Sequence, residues 1–338
     1  MRIVACLGVL LLLTGCTQST DGEALSAGTS AASTGPRPPS YREKLDWNDR
    51  ADRDRAAQIR AVDPCSMINV DAAGALGKVR YVGANRAPQI CSIDFDVPMH
   101  DVGVMEPVPG FVSRVAVGDR KTGRANVQNP SGGECSIGLP AGYGDELVVY
   151  TIWITGGTRN GCGELQPVVD ASRDLVRRPA LRTDSKRLPP SKLVRLDPCD
   201  VIDAVAPGRD IQLITRSAPF DCDFKDKGDR LDETRLGIRW WLTELEDAPH
   251  PATEGPEYTR IRGALTHFKD DPSPRGSGRY CRVESYVGLE NPITGHDETS
   301  ALPQWVEMFA TDGHDEQIGC PRIMKAVEAA IRMYQEAP

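Results

Sequence analysis

What the 338-residue chain lacks excludes several chemistries. The apolar run Ile3 to Leu13 is about half the roughly 20 residues that a spanning helix needs, so a permanent transmembrane segment there is disfavoured. No C-x-x-C pair occurs, which argues against a structural zinc site and against thioredoxin-like redox chemistry. The patterns G-x-S-x-G, H-E-x-x-H and G-x-x-x-x-G-K-[ST] are all missing, and His100, His250 and His267 stand isolated. A basic excess is missing too. Forty Lys and Arg face 48 Asp and Glu, for a formal net charge of -8, which disfavours nucleic acid and anionic membrane surfaces as broad partners.

The N-terminus carries the clearest positive signal. Arg2 precedes the apolar run, and Leu13-Thr14-Gly15-Cys16 resembles the bacterial lipobox, in which small residues admit the peptidase and the cysteine sulfur takes the lipid. Residues 1-15 are therefore expected to be a signal peptide, Cys6 included, and Cys16 a lipidation site. Attachment to the extracytoplasmic face of the cell membrane through acyl chains follows, because two or more chains hold where one does not.

From Thr17 to about Ser40 the chain is rich in Ser, Thr, Ala, Gly and Pro, and Leu25 is its only large aliphatic residue. Such a segment cannot bury enough apolar surface to offset its ordering entropy, so a disordered tether is expected. Tyr41 to Ala61 mixes charges densely at Arg50, Asp52, Arg53, Asp54 and Arg55 over a weak helical pattern. It reads as a solvated, helical approach segment, so that residues 16-61 together form the lipidated tether and approach.

A repeat shows in the cysteines. Of ten, eight remain beyond Cys6 and Cys16, in two groups of four with matching surroundings. Asp63-Pro64-Cys65 answers Asp197-Pro198-Cys199, Cys91 answers Cys222 within acidic, strand-like sequence, Cys135 answers Cys281, and Gly161-Cys162 and Gly319-Cys320 each open an amphipathic segment. The chain thus divides into module 1 (residues 62-182), a linker (183-194) containing Pro189-Pro190, and module 2 (195-338). Module 2 is longer between Cys222 and Cys281 and between Cys281 and Cys320 than module 1 is at the matching intervals. The added material includes the stretches near Glu244 to Glu254 and Asn291 to Ala301, where binding loops or plain surface elaboration can sit.

In an exported chain four cysteines per module imply two disulfides per module, although each set allows three pairings. Sequential pairing is the expectation: Cys65 with Cys91, Cys135 with Cys162, Cys199 with Cys222 and Cys281 with Cys320. Metal ligation is the rival reading, and it lacks the closely spaced pairs that zinc sites draw on.

Periodicity points to an α+β fold: two tandem homologous modules, each a twisted, mainly antiparallel sheet with a short N-terminal helix and a packed C-terminal helix, stapled by disulfides. Asp63-Pro64 and Asp197-Pro198 look like helix starts, with Asp as N-cap and Pro at the first helical position. Ile93, Phe95 and Val97 alternate with acids, Leu147 to Thr155 is a β-rich run, and Leu236, Ile238, Trp240 and Leu242 alternate with other residues. Leu165, Val168, Val169, Ser172 and Val176 share one helical face, answered by Ile323, Ala326, Val327, Ala330 and Tyr334.

The Asp-Pro-Cys opening, a second cysteine in a strand and a late cysteine opening a terminal helix resemble an uncharacterised family of actinobacterial surface lipoproteins. The resemblance covers roughly Val62 to Arg178 and Leu196 to Tyr334. It implies an envelope lipoprotein with an α+β domain, here duplicated, and carries no activity or functional residue with it.

Candidate sites are thin. His296-Asp297-Glu298 and His314-Asp315-Glu316 bear metal-capable side chains, but neighbours in sequence point different ways and rarely hold one ion. Gly142-Tyr143-Gly144-Asp145 reads as a turn. Trp240-Trp241 places one indole inward and one outward, either as core plus a scattered exposed aromatic or as a binding surface. No catalytic residue, cofactor or metal site is assigned. The favoured reading is a non-enzymatic binding or sensor-like role toward an envelope protein, glycan or lipid; a hydrolase of envelope polymers and a structural protein-contact scaffold are the alternatives.

Overall fold

A computed structural model describes residues 39-338 apart from 85-86, 96-107, 117-134, 141-146, 156-160, 216-217, 230-234, 243-247, 251-252, 254, 256, 273-278, 291, 295-300, 303 and 312-318; at 84, 108-116, 147-155, 269-272, 279-280, 293-294, 301-302, 304-311 and 319-321 only the backbone is described. The expectations on the signal peptide, on Cys16 and on the tether up to residue 38 lie outside the described residues.

The fold is α+β, built on two antiparallel sheets. The first has five strands, β1 (Val79–Ala84), β2 (Ile90–Phe95), β3 (Val108–Ala116), β4 (Cys135–Pro140) and β5 (Leu147–Thr155), in the order β1-β2-β3-β5-β4. The second has seven, β6 (Ile211–Leu213), β7 (Asp221–Asp226), β8 (Leu236–Leu242), β9 (Tyr258–Ile261), β10 (Ala264–Pro272), β11 (Arg279–Tyr286) and β14 (Gln304–Thr311), in the order β6-β7-β8-β14-β11-β10-β9. A short hairpin of β12 (Ile293–Thr294) and β13 (Ala301–Leu302) stands apart from both.

Alternation in sequence becomes burial in the sheets. Ile93 and Phe95 are buried while Asp94 between them is half-buried, and Leu236, Ile238, Trp240 and Leu242 all enter the core. Trp240 is 1% exposed and its neighbour Trp241 faces the other way, half-buried. β9 and β10 are joined by Arg262 and Gly263, with φ of 49° and 86°, the positive values that a two-residue hairpin turn demands.

Helices cover one face of each sheet. Along the chain they are α1 (Tyr41–Lys44), α2 (Trp47–Ala61), α3 (Val70–Ala73), α4 (Gly161–Arg177), α5 (Ile202–Val205) and α6 (Gly319–Glu336). α4 packs on β4 and β5, and α6 packs on β14 and β11. The apolar stripe of α4, Leu165, Val168, Val169 and Val176, is buried with Ser172. In α6, Ile323, Ala326, Val327, Ala330 and Tyr334 are buried likewise. Ser172 shows how a polar residue fits there: its hydroxyl donates to Val168 O at 2.7 Å and accepts from Asn69 N at 3.0 Å, tying α4 to the start of α3.

Both Asp-Pro-Cys segments open short 3-10 turns, Pro64–Met67 and Pro198–Val201. Asp63 accepts from Cys65 N at 2.8 Å and Asp197 accepts from Cys199 N at 2.9 Å, so each aspartate is the N-cap and each proline stands where no N–H is required. Disulfides then fasten the turns to the sheets: Cys65 to Cys91 in β2, and Cys199 to Cys222 in β7. A third bond joins Cys135 in β4 to Cys162 in α4. Cys281 in β11 is disulfide-bonded as well; the side chain of Cys320, its expected partner, lies outside the described residues.

Residues 38-338 form one compact unit; one large hydrophobic core draws on both sheets, and a smaller cluster gathers Leu265, Tyr286 and Leu289. The segment 183-194 does not hang free between them. It carries the 3-10 turn Lys192–Arg195 and buries Leu188 and Leu193 in that core.

Candidate functional site

The stretch Tyr41 to Ala61 departs most from its reading as a solvated segment. Along α2 the buried positions are Asp49, Asp52, Arg53, Ala56, Ile59 and Arg60, a stripe at helical spacing made mainly of charged side chains. The partner of Arg53 and Arg60 is Asp197, the N-cap of the second Asp-Pro-Cys turn. Arg53 donates to its Oδ1, Arg60 pairs with its Oδ2 at 3.3 Å, and Arg42 from α1 reaches the same oxygen. Arg53 also donates to Ala218 O at 3.1 Å and Arg60 to Pro219 O at 2.9 Å. Burial pushes the Asp197 carboxyl up, but the surrounding guanidiniums and the Cys199 N–H hold it below the ordinary carboxylate range. Asp200, next to it, is pushed up by burial and by the Asp197 charge. The helical arm is thus latched to the sequence 197-219, far from it along the chain.

Where α2 ends, the arm helps to form a cavity of about 500 Å³. Arg60 and Ala61 from the arm line it together with residues between Leu181 and Arg195, among them Arg182, Leu188, Lys192 and Val194, and with Pro338. Its walls are mainly apolar, and the charged side chains among its lining are all cationic: Arg60, Arg182, Lys192 and Arg195. Leu181 in its lining is 51% exposed. Arg182 donates through Nη2 to Pro88 O, and burial pulls its pKa down to about 10 despite the charge of Asp63. A neighbouring cavity of about 560 Å³ shares Pro190 and Lys192 with the first and runs toward Arg260, Tyr286 and Tyr334.

A second polar cluster lies on β9, β10 and β11. His267 Nε2 is 3.0 Å from Glu257 Oε2, its Nδ1 is 3.7 Å from Glu284 Oε2, and its ring stacks on Tyr258 with centroids 4.4 Å apart. Glu284 also accepts from Tyr286 Oη at 3.3 Å and pairs with Arg282 at 2.8 Å. Burial, followed by the Glu284 charge, raises the Tyr286 phenol well above its ordinary value. A histidine between carboxylates is acid–base equipment, but it needs a nucleophile within reach. The adjacent hydroxyl is Ser285, which lies fully buried against Thr266 at 3.0 Å, on the opposite face of the sheet from His267 and Glu284.

The remaining candidate residues are not brought together. His250 is exposed, and the loops at 244-254 and 291-301 are described only in fragments. His100, His296-Asp297-Glu298, His314-Asp315-Glu316 and Gly142-Tyr143-Gly144-Asp145 lie outside the described residues. Among the described residues no group of three or more His, Cys, Asp or Glu is disposed to hold a metal ion, and no helix is long and apolar enough to cross a membrane. Sequence reasoning missed the cavity because segments about 120 residues apart or more build it, at 60-61, 181-195 and 338. The available signal was the four cations Arg60, Arg182, Lys192 and Arg195 beside Leu181, Leu188 and Val194.

Comparison of the chain with protein-family models, with curated proteins and with solved structures finds no match.

Proposed function

We propose that the chain is a cell-envelope lipoprotein, anchored through Cys16 on the extracytoplasmic face, that binds a ligand without transforming it. The cavity of about 500 Å³ between α2, the segment 181-195 and Pro338 is the observation that carries the binding role. It has the size and mainly apolar surface of a small-molecule site, with cationic and hydroxyl side chains in its lining to orient a ligand. The lipobox at Leu13 to Cys16 and the disulfides support an exported location. The resemblance to actinobacterial surface lipoproteins agrees with it.

The same proposal includes two tandem homologous modules with the boundaries given above. Strand order supports it: β1-β2-β3-β5-β4 corresponds position by position to β6-β7-β8-β14-β11, with Cys91 matching Cys222 and Cys135 matching Cys281. The hairpin β9-β10 is then an addition at one edge of the second sheet. A hydrolase is the weaker reading, because the Ser285 hydroxyl lies on the opposite face of the sheet from His267, and the Tyr286 phenol beside Glu284 is raised well above its ordinary value.

Two measurements test the proposal. Metabolic labelling with an alkyne-bearing palmitate should mark the wild-type chain and not Cys16→Ser; an unlabelled wild type removes the anchor. The exported Cys16→Ser chain should bind the neutral dye Nile red saturably, with a blue-shifted emission that Leu181→Glu abolishes. No blue shift leaves the scaffold reading in its place.

A further inference from the structure

Resting on that binding role, we infer that the cavity takes an anionic amphiphile, with one apolar tail against Leu181, Leu188 and Val194 and a carboxylate or phosphate head among Arg182, Lys192 and Arg195. The charge balance of the lining is the first argument. Four cationic side chains line the cavity and no Asp or Glu side chain does, in a protein whose overall charge is -8. The imbalance is therefore local and opposite in sign to the rest of the molecule.

The second argument is what those cations do now. Arg60 is engaged by Asp197 and Pro219 O. None of the other three has an Asp or Glu partner within ion-pair distance among the described residues. Arg182 donates through Nη2 to Pro88 O, a neutral carbonyl, and its Nε makes no hydrogen bond among the described residues. Lys192 lies over the Tyr334 ring, its Nζ 5.6 Å from the centroid, without a carboxylate partner among the described residues. Arg195 makes one long contact, 3.4 Å, to Pro338 O. Guanidiniums and an ammonium within one lining suit the oxygens of a carboxylate or a phosphate. The third argument is the wall. An inorganic anion alone would leave the exposed Leu181 and the half-buried Val194 facing water, whereas an attached alkyl tail covers them.

Displacement of Nile red from the full Cys16→Ser chain tests the assignment. Palmitate and monohexadecyl phosphate should displace the dye at least about 10-fold more tightly than neutral 1-hexadecanol, a preference of the size that charge-assisted hydrogen bonds provide. The ratio of the first two then separates a fatty-acid source from a phospholipid-like one. Hexadecyltrimethylammonium and inorganic phosphate should displace it poorly. Combined Lys192→Met and Arg195→Gln substitutions, at half-buried and exposed positions, should bring palmitate down to parity with 1-hexadecanol while circular dichroism stays unchanged. Equal displacement by 1-hexadecanol and palmitate overturns the ligand class and leaves the cavity as a binding site, and an anion preference undiminished by both substitutions overturns the placement of the head group at Lys192 and Arg195. Failure of Nile red to bind at all overturns the binding role itself.

Discussion

Arg53 and Asp197, 144 residues apart in sequence, pair with their side chains only 1% and 3% exposed. One carboxylate there faces three guanidiniums and also caps a 3-10 turn. Buried ion pairs are weak contributors as a whole, since desolvation offsets their attraction, but removing one partner strands the other. Asp197→Asn should therefore destabilise the protein by about 3–5 kcal/mol in urea unfolding. Asp63→Asn, at the matching cap, should lose under about 1 kcal/mol, because Asn caps as well as Asp. Equal losses at both positions would show that the latch contributes nothing beyond the cap.

The same carboxylate sets an acid dependence. A carboxyl held below its unfolded value, near 3.9, contributes stability above that pH and loses it as pH falls through the folded value. Asp200 has the opposite sign: its raised carboxyl opposes folding above its folded value and ceases to do so on protonation. Urea midpoints measured from pH 7 down to 3 should hold or rise at first and then fall below about pH 4. Asp197→Asn should flatten the acid fall, and Asp200→Asn should remove the initial rise. An acid limb unchanged in Asp197→Asn would place the responsible carboxylate elsewhere.

Cross-links that close loops of 26, 27 and 23 residues restrict the unfolded chain. Replacing Cys199 and Cys222 together by Ala should lower stability by about 3 kcal/mol. Peptide mapping under non-reducing conditions should recover Cys281 linked to Cys320; Cys281 linked to any other cysteine contradicts sequential pairing in the second set.

Ser172 contributes through two hydrogen bonds in a fully buried position. Ser172→Ala leaves the Asn69 N–H without its acceptor and should cost about 1–3 kcal/mol. A smaller loss than in an exposed control such as Arg173→Ala would mean that Asn69 finds another partner.

How much of this was legible follows from what each residue depends on. The α+β class was legible because alternation at Ile93 and Phe95, or the helical stripe from Leu165 to Val176, is settled by near neighbours in sequence. Disulfide bonding followed from the count of cysteines in an exported chain. The helix Trp47–Ala61 was legible, but its burial was not. Its inward face is Asp49, Asp52, Arg53 and Arg60, which any hydropathy pattern assigns to water; Arg53 and Arg60 are buried there against Asp197 and the carbonyls of Ala218 and Pro219, all distant in sequence. The cavity escaped for a related reason: Pro189-Pro190 and the polar residues around it spell a linker, while Leu188 and Leu193 anchor that linker in the core.

The central claim is that the cavity beside Arg182 binds an amphiphile, and methyl NMR of the Cys16→Ser chain tests it most directly. On titration with palmitate, the methyl groups of Leu181, Leu188 and Val194 should shift together and saturably while those of Val283 and Ile323, deep in the core, stay in place. Shifts centred instead on Leu265 and Leu289 in the neighbouring cavity, or no saturable shift anywhere, would contradict it.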